Sequence, residues 1–126
     1  MTNPNLAVQQ RFVAAVMSGD AETIHALTAP GFILTQGSGM PYAGLYEGAD
    51  GFLRFLGIFA ETLDIEKLEP VRHFQSDDPD LIVFEFDIVA VHRATGKPYV
   101  TSLLEAWTFR NGKVAGVKPH YFNVPN

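Results

Sequence analysis

The sequence predicts an α+β domain, with helices in its first half and antiparallel strands in its second. Three observations carry that expectation. Apolar residues recur at helical spacing up to about residue 60. After Thr62 the pattern alternates with period two and is cut by turn-forming clusters. Asn111-Gly112, lying between two strand-like runs, is the strongest short hairpin signal a sequence can carry.

Each element follows from its own residues. Asn3 then Pro4 reads as an N-cap followed by the first helical residue. Val8, Phe12 and Val16 follow at four-residue spacing, with Val13 beside them, giving an amphipathic helix. Gly19 stops it, and Asp20 caps a second short helix that reaches Leu27. Pro30-Gly31 breaks that helix, and Phe32-Ile33-Leu34-Thr35 is a short strand. Gly37 to Gly48 reads as a loop rich in Gly and Tyr. A third helix spans 50–60, with Phe52, Phe55, Leu56 and Phe59 on one stripe. Strands are expected at 63–75, 81–92, 98–110 and 113–124. Ser76-Asp77-Asp78-Pro79, Ala94-Thr95-Gly96-Lys97 and Asn111-Gly112 separate them.

Composition narrows the function classes. The chain has 126 residues without repeats or linkers, so one domain covering 1–126 is expected. Hydrophobic residues at 47% and charged residues at 18% exclude a disordered chain. Ten Phe stand against four Tyr and one Trp, an excess that points to a lined cavity as well as a filled core. The net charge of -5 offers no basic face for nucleic acid. The absence of cysteine removes disulfides, thiolate chemistry and zinc-thiolate sites. His25, His73, His92 and His120 lack ligand spacing, and GSGMPYAG does not join a strand to a helix as a phosphate loop must. No metal and no cofactor are therefore expected. The N-terminus lacks a basic start with an apolar run, and no stretch is long and apolar enough to span a bilayer. A soluble, cytoplasmic protein with no membrane partner is the expectation.

Strand register brings specific residues together. With a two-residue turn at Asn111-Gly112, Arg110 faces Lys113, Trp107 faces Gly116, Glu105 faces Lys118, Leu103 faces His120 and Thr101 faces Phe122. With Ala94 to Lys97 as a four-residue loop, Phe84 faces Trp107, Phe86 faces Glu105 and Ile88 faces Leu103. One sheet face then collects Phe84, Phe86, Ile88, Leu103, Glu105, Trp107, His120 and Phe122. On it Glu105 and His120 sit diagonally across adjacent strands, within reach of each other. The opposite face carries Val83, Leu104, Ala106, Val117 and Tyr121, apolar enough to need covering, so a homodimer through that outer face is expected.

Three stretches carry a family resemblance. QQRFVAAVMSGDAETIHALTAPGFILTQG resembles the opening of the ketosteroid-isomerase branch of the nuclear transport factor two-like superfamily. YAGLYEGADGFLRFL resembles the superfamily's turn before its third helix, and EAWTFRNGKVAGVKPHYFN its last hairpin. The resemblance implies a cystatin-like cone: three N-terminal helices packed in a strongly bent antiparallel sheet, with a ligand cavity at the open end. Ketosteroid isomerases carry a Tyr on the first helix, a general-base Asp ending the first strand and a protonated Asp on the penultimate strand. The matching positions here are Phe12, Gln36 and Glu105, so only the last keeps its carboxyl. The ending also resembles SnoaL-like cyclases and phenazine biosynthesis proteins, whose acidic groups match His120 or Asn123 here.

Glu105 and His120 are thus the candidate acid-base pair. A carboxyl amid LLEAW should titrate high, unless Lys118 opposite pairs with it. The residues expected to line the cavity are Phe12, Gln36, Met40, Tyr42, Phe55, Phe59, Phe84, Phe86, Leu103, Trp107 and Phe122. Met40, Tyr42 and Tyr46 form either a lid or a plain surface loop. Two functions fit: a cofactor-independent isomerase, cyclase or dehydratase acting on a small apolar or polycyclic carbonyl compound, or a non-catalytic module that binds a small apolar ligand or dimerises.

Overall fold

The computed structural model describes residues 2–125, so positions 1 and 126 of the expected domain lie outside the described residues. Its order is α1 (Pro4–Ser18), α2 (Ala21–Leu27), β1 (Thr28–Gln36), β2 (Gly44–Glu47), α3 (Gly48–Thr62), β3 (Leu63–Gln75), β4 (Leu81–His92), β5 (Lys97–Arg110) and β6 (Lys113–Tyr121). The α+β class and the three helices are as the sequence predicts. The expected caps form as well. Asn3 Oδ1 accepts from the Asn5 amide at 2.9 Å, Gly19 ends α1 in the left-handed region, and Asp20 accepts from the Thr23 amide at 3.1 Å.

The six strands form one sheet in the order β2-β1-β6-β5-β4-β3. Every neighbouring pair is antiparallel except β1 and β6, which run parallel, so the sheet is mixed where a fully antiparallel one was expected. β1 is longer than its four predicted residues. It runs through Pro30-Gly31 by breaking register between Thr28 and Ile33, with Gly31 at φ 81. β2 falls in a segment read as loop. Its four residues are too few to show an alternating pattern, and pairing with β1 creates the strand.

The helices cover the inner sheet face. Asn5 fixes the start of α1, donating to Pro79 O and Asp80 Oδ1 at 3.0 Å each in the β3–β4 turn. Phe12 on α1 packs against Phe52 on α3 at 5.0 Å and against Trp107 on β5 at 5.5 Å. Irregularities bend β3 against β4 at Ile65/Lys67 and Pro70/Arg72.

The two hairpins depart from the expected register in different ways. In β4–β5 the loop is Arg93 to Gly96, and His92 faces Lys97. Phe84 therefore faces Glu105, and Phe86 faces Leu103. A slip of two residues along the strand leaves every side chain on its expected face. In β5–β6, Asn111 and Gly112 adopt φ 53 and φ 74, as a two-residue turn with both residues left-handed requires. Arg110 faces Lys113 and Phe109 faces Val114 as predicted, but Thr108 then faces Gly116. Ala115 is the extra residue of a β-bulge. Beyond it every β6 side chain is turned to the opposite face from the expected one. Leu104 faces His120, and Leu103 faces Tyr121.

Gly116 is required at this bulge by space. A Cβ there would lie 2.9 Å from Thr108 Oγ1 and 3.3 Å from the Ile33 carbonyl oxygen. Gly116→Ala is expected to cost about 1–3 kcal/mol in urea unfolding. Thr108→Ala should recover part of that loss when combined with it. An additive double mutant would show that the hydroxyl is not the obstacle.

Candidate functional site

A cavity of ≈ 120 Å³ lies between α1, α3 and the inner sheet face. Val13, Val16, Phe55, Leu56 and Phe59 wall it on the helical side, and Phe86, Ile88, Leu103, Trp107 and Val117 on the sheet side. Met17, 67% exposed, marks its mouth. Three polar side chains reach this apolar space: Gln36, Glu105 and Tyr121.

Glu105 points inward because it shares a strand face with Leu103 and Trp107. The residue keeps some exposed surface, but its carboxyl group is enclosed. The Trp107 indole N–H, two residues along the same face, donates to Glu105 Oε1 at 2.9 Å. Burial pushes the carboxyl from its usual value of 4.5 up to about 7, and the Trp107 hydrogen bond offsets only part of that rise. Lys118 does not pair with it, since the bulge sends Lys118 to the outer face opposite Ala106.

A hydroxyl network closes one side of the cavity. The Tyr42 hydroxyl donates to the Tyr121 hydroxyl oxygen at 3.0 Å. The Gln36 side chain lies beside the same hydroxyl and offsets a little of the rise in its pKa. Burial raises both phenols far above their ordinary range, so each keeps its proton. Tyr121, accepting from Tyr42, retains its own O–H to donate. Gln36 is only 5% exposed, and its Oε1 has no hydrogen-bond partner among the described residues.

The structure brings Phe12, Gln36, Phe55, Phe59, Phe86, Leu103, Glu105 and Trp107 to this one cavity. Other expected residues lie elsewhere. His120 is exposed on the outer face, so the Glu105–His120 pair does not form. Phe122 lies beyond the end of β6 and is 86% exposed. Phe84 is buried against Trp107 at 5.6 Å and borders a separate open groove of ≈ 310 Å³, with His73 and Arg72. Met40 and Tyr42 are buried in the core beside the cavity. The segment holding them is packed down: Tyr46 donates to the Tyr42 carbonyl at 2.8 Å, and the Tyr42 ring sits 5.3 Å from that of Phe55. It is thus more than a plain surface loop. Tyr121 was assigned to the outer face. The signal that could have found it is Gly116, since a glycine inside a strand pattern marks bulges.

The fold thus places one high-titrating carboxyl in an apolar cavity between helices and sheet. The SnoaL-like domain family matches residues 9–117, and the chain belongs to that family. Solved structures agree on the fold. An NTF2-like protein from Burkholderia xenovorans is 21% identical, covers 96% of this chain and 91% of its own, and has a TM-score of 0.81. TerC, co-crystallised with polyporic acid, is 20% identical over 94% of this chain and 91% of its own, with a TM-score of 0.77. A protein provisionally described as a SnoaL-like polyketide cyclase from Jannaschia sp. is 13% identical, with coverages of 94% and 85% and a TM-score of 0.74. No curated protein matches the chain. Among the described residues no group of three or more His, Cys, Asp or Glu could hold a metal ion, and no helix is long and apolar enough to cross a membrane.

The raised carboxyl has a thermodynamic consequence. Between pH 4.5 and about 7 the folded protein holds the Glu105 proton more firmly than the unfolded chain does. Its contribution to stability is therefore full below pH 4.5 and is lost as pH rises through 7. The loss amounts to about 3 kcal/mol. Urea unfolding of the wild type and of Glu105→Gln at pH 4.5 and pH 8 measures it. The wild type should lose about that much more than the variant, and parallel profiles would mean an ordinary carboxyl.

Proposed function

We propose that the protein is an enzyme that moves a proton beside the carbonyl group of a small apolar ring compound, in an isomerisation, cyclisation or dehydration. The observation that carries this is the Glu105 carboxyl, enclosed among aromatic rings with no cation beside it among the described residues and titrating at about 7. Near neutral pH such a group is populated both as base and as acid. In the carboxylate form it takes a proton from the carbon next to the carbonyl. The Tyr121 O–H donates to the carbonyl oxygen as negative charge develops there. The protonated Glu105 then returns the proton to another atom of the same substrate. Tyr42 acts through Tyr121, since its hydrogen bond to that oxygen fixes its position and strengthens it as a donor.

Tyr121 takes the place first expected for His120. The cavity size favours one ring over a polycyclic skeleton: an engineered apolar cavity of about 150 Å³ holds a single benzene. The Jannaschia cyclase and TerC with its polyporic acid support a small organic ligand in this fold. Phe12 and Gln36, standing where ketosteroid isomerases carry their Tyr and Asp, favour a second reading, a binding module without catalysis.

Deuterium exchange at the carbon next to the carbonyl, followed by NMR for a panel of small cyclic ketones, separates the two. The wild type should speed exchange above buffer. Glu105→Gln should lower the rate at least about 100-fold, and Tyr121→Phe about 100- to 1,000-fold. His120→Ala should leave it unchanged. No exchange above buffer would sink the enzyme reading and leave the binding module.

A second copy of the chain is the proposed partner, packed on the outer sheet face. Val117 and Tyr121 turn inward, so the exposed large apolar side chains on that face are Ile33, Leu45, Val100 and Leu104, with Lys118 and His120 of β6 between them. Light scattering at micromolar concentration should give twice the 13.9 kDa chain mass. Leu104→Lys should shift it towards the monomer, and a monomeric wild type would contradict the partner.

A further inference from the structure

Gln36 carries a feature that the proton-transfer chemistry does not use. Its side chain is buried, lines the cavity, and presents an Oε1 with no hydrogen-bond partner among the described residues. The same side chain neighbours the Tyr121 hydroxyl. A buried acceptor left without a donor is costly, and the cost is removed when a bound group supplies one.

Tyr121 presents the opposite need. Its oxygen already accepts from Tyr42, so its remaining O–H seeks an acceptor. The two requirements sit side by side on one cavity wall. A hydroxyl group answers both from a single oxygen, accepting from Tyr121 and donating to Gln36. A carbonyl answers only Tyr121 and leaves Gln36 Oε1 unpaired. A purely apolar ring answers neither.

We infer that the cavity recognises a single-ring compound bearing a hydroxyl on an unsaturated carbon, a phenol or an enol, held with its O–H bridged between Tyr121 and Gln36. The cavity volume of ≈ 120 Å³, open at Met17, suits one six-membered ring. The walls of Phe55, Phe59, Phe86 and Trp107 take a flat, aromatic-like face. This rests on the proposed function for its choice of site and adds the specificity element: Gln36 favours the enol form of a substrate over its ketone.

Phenol and toluene are the probes, because they match in size and differ in the hydroxyl. Without polar partners toluene binds better, since moving the phenol O–H out of water is then uncompensated. Calorimetry or ligand-observed NMR on the full chain should give phenol at least tenfold tighter than toluene. Gln36→Met, of similar volume and without an acceptor, should lower phenol affinity at least tenfold and leave toluene within about twofold. Gln36→Glu, which restores an acceptor, should keep the phenol preference. Toluene binding the wild type as tightly as phenol overturns the inference even if Gln36→Met fails to fold. A phenol preference undiminished in a folded Gln36→Met variant overturns it as well. These measurements read binding alone, whereas the proton-transfer reading is tested by exchange at carbon, so either can fail without the other.

Discussion

Between the Phe109–Val114 and Thr108–Gly116 pairs, β6 carries one residue for which β5 has no counterpart. That residue, Ala115, rotates the rest of the strand by one face. Lys118 and His120 turn to solvent, while Val117, Pro119 and Tyr121 turn inward. In an unbulged hairpin Lys118 would stand directly across from Glu105 and hold its carboxylate ionised. The bulge removes that cation and puts a phenol in place of an imidazole. The electrostatic character of the cavity depends on it.

The result is a carboxyl that the fold isolates at a cost to its own stability. Its hydrogen bond comes from Trp107, and that residue also holds the core together. Trp107 packs edge-on against Phe12 and Phe84 and stacks near Phe109 at 6.2 Å. Core packing thus fixes the donor that orients the carboxyl. Asn5, tied to the β3–β4 turn, holds α1 in place above it. The same contacts therefore serve stability and site geometry.

The cavity is polarised along one wall. Glu105, Tyr121 and Gln36 gather on the sheet strands β5, β6 and β1, and the helical side is apolar. β1 reaches this wall because it pairs with β6 in parallel, which sets Leu34 across from Val117 and puts the strand's end, Gln36, beside the end of β6. Tyr42, from the segment between β1 and β2, closes the network from behind.

Much of the fold was legible in local chemistry. Asn3-Pro4, Gly19 and Asp20 placed the helix ends, because caps are short-range hydrogen bonds. Asn111-Gly112 placed the last hairpin turn, because few other pairs adopt two positive φ angles. The inward set of β4 and β5 survived a two-residue slip, because side chains alternate with period two. Glu105 stood out as a carboxyl inside an apolar strand, and its burial followed from that pattern. The face of every residue after Ala115 was decided only in three dimensions. A single bulge reverses parity, and its Gly116 is packed under Thr108 and under the carbonyl of Ile33, a residue of the distant strand β1. The parallel β1–β6 pair, strand β2 and the inward turn of Tyr121 share that origin. Sequence determined which groups were available to the cavity, and long-range pairing decided which of them entered it.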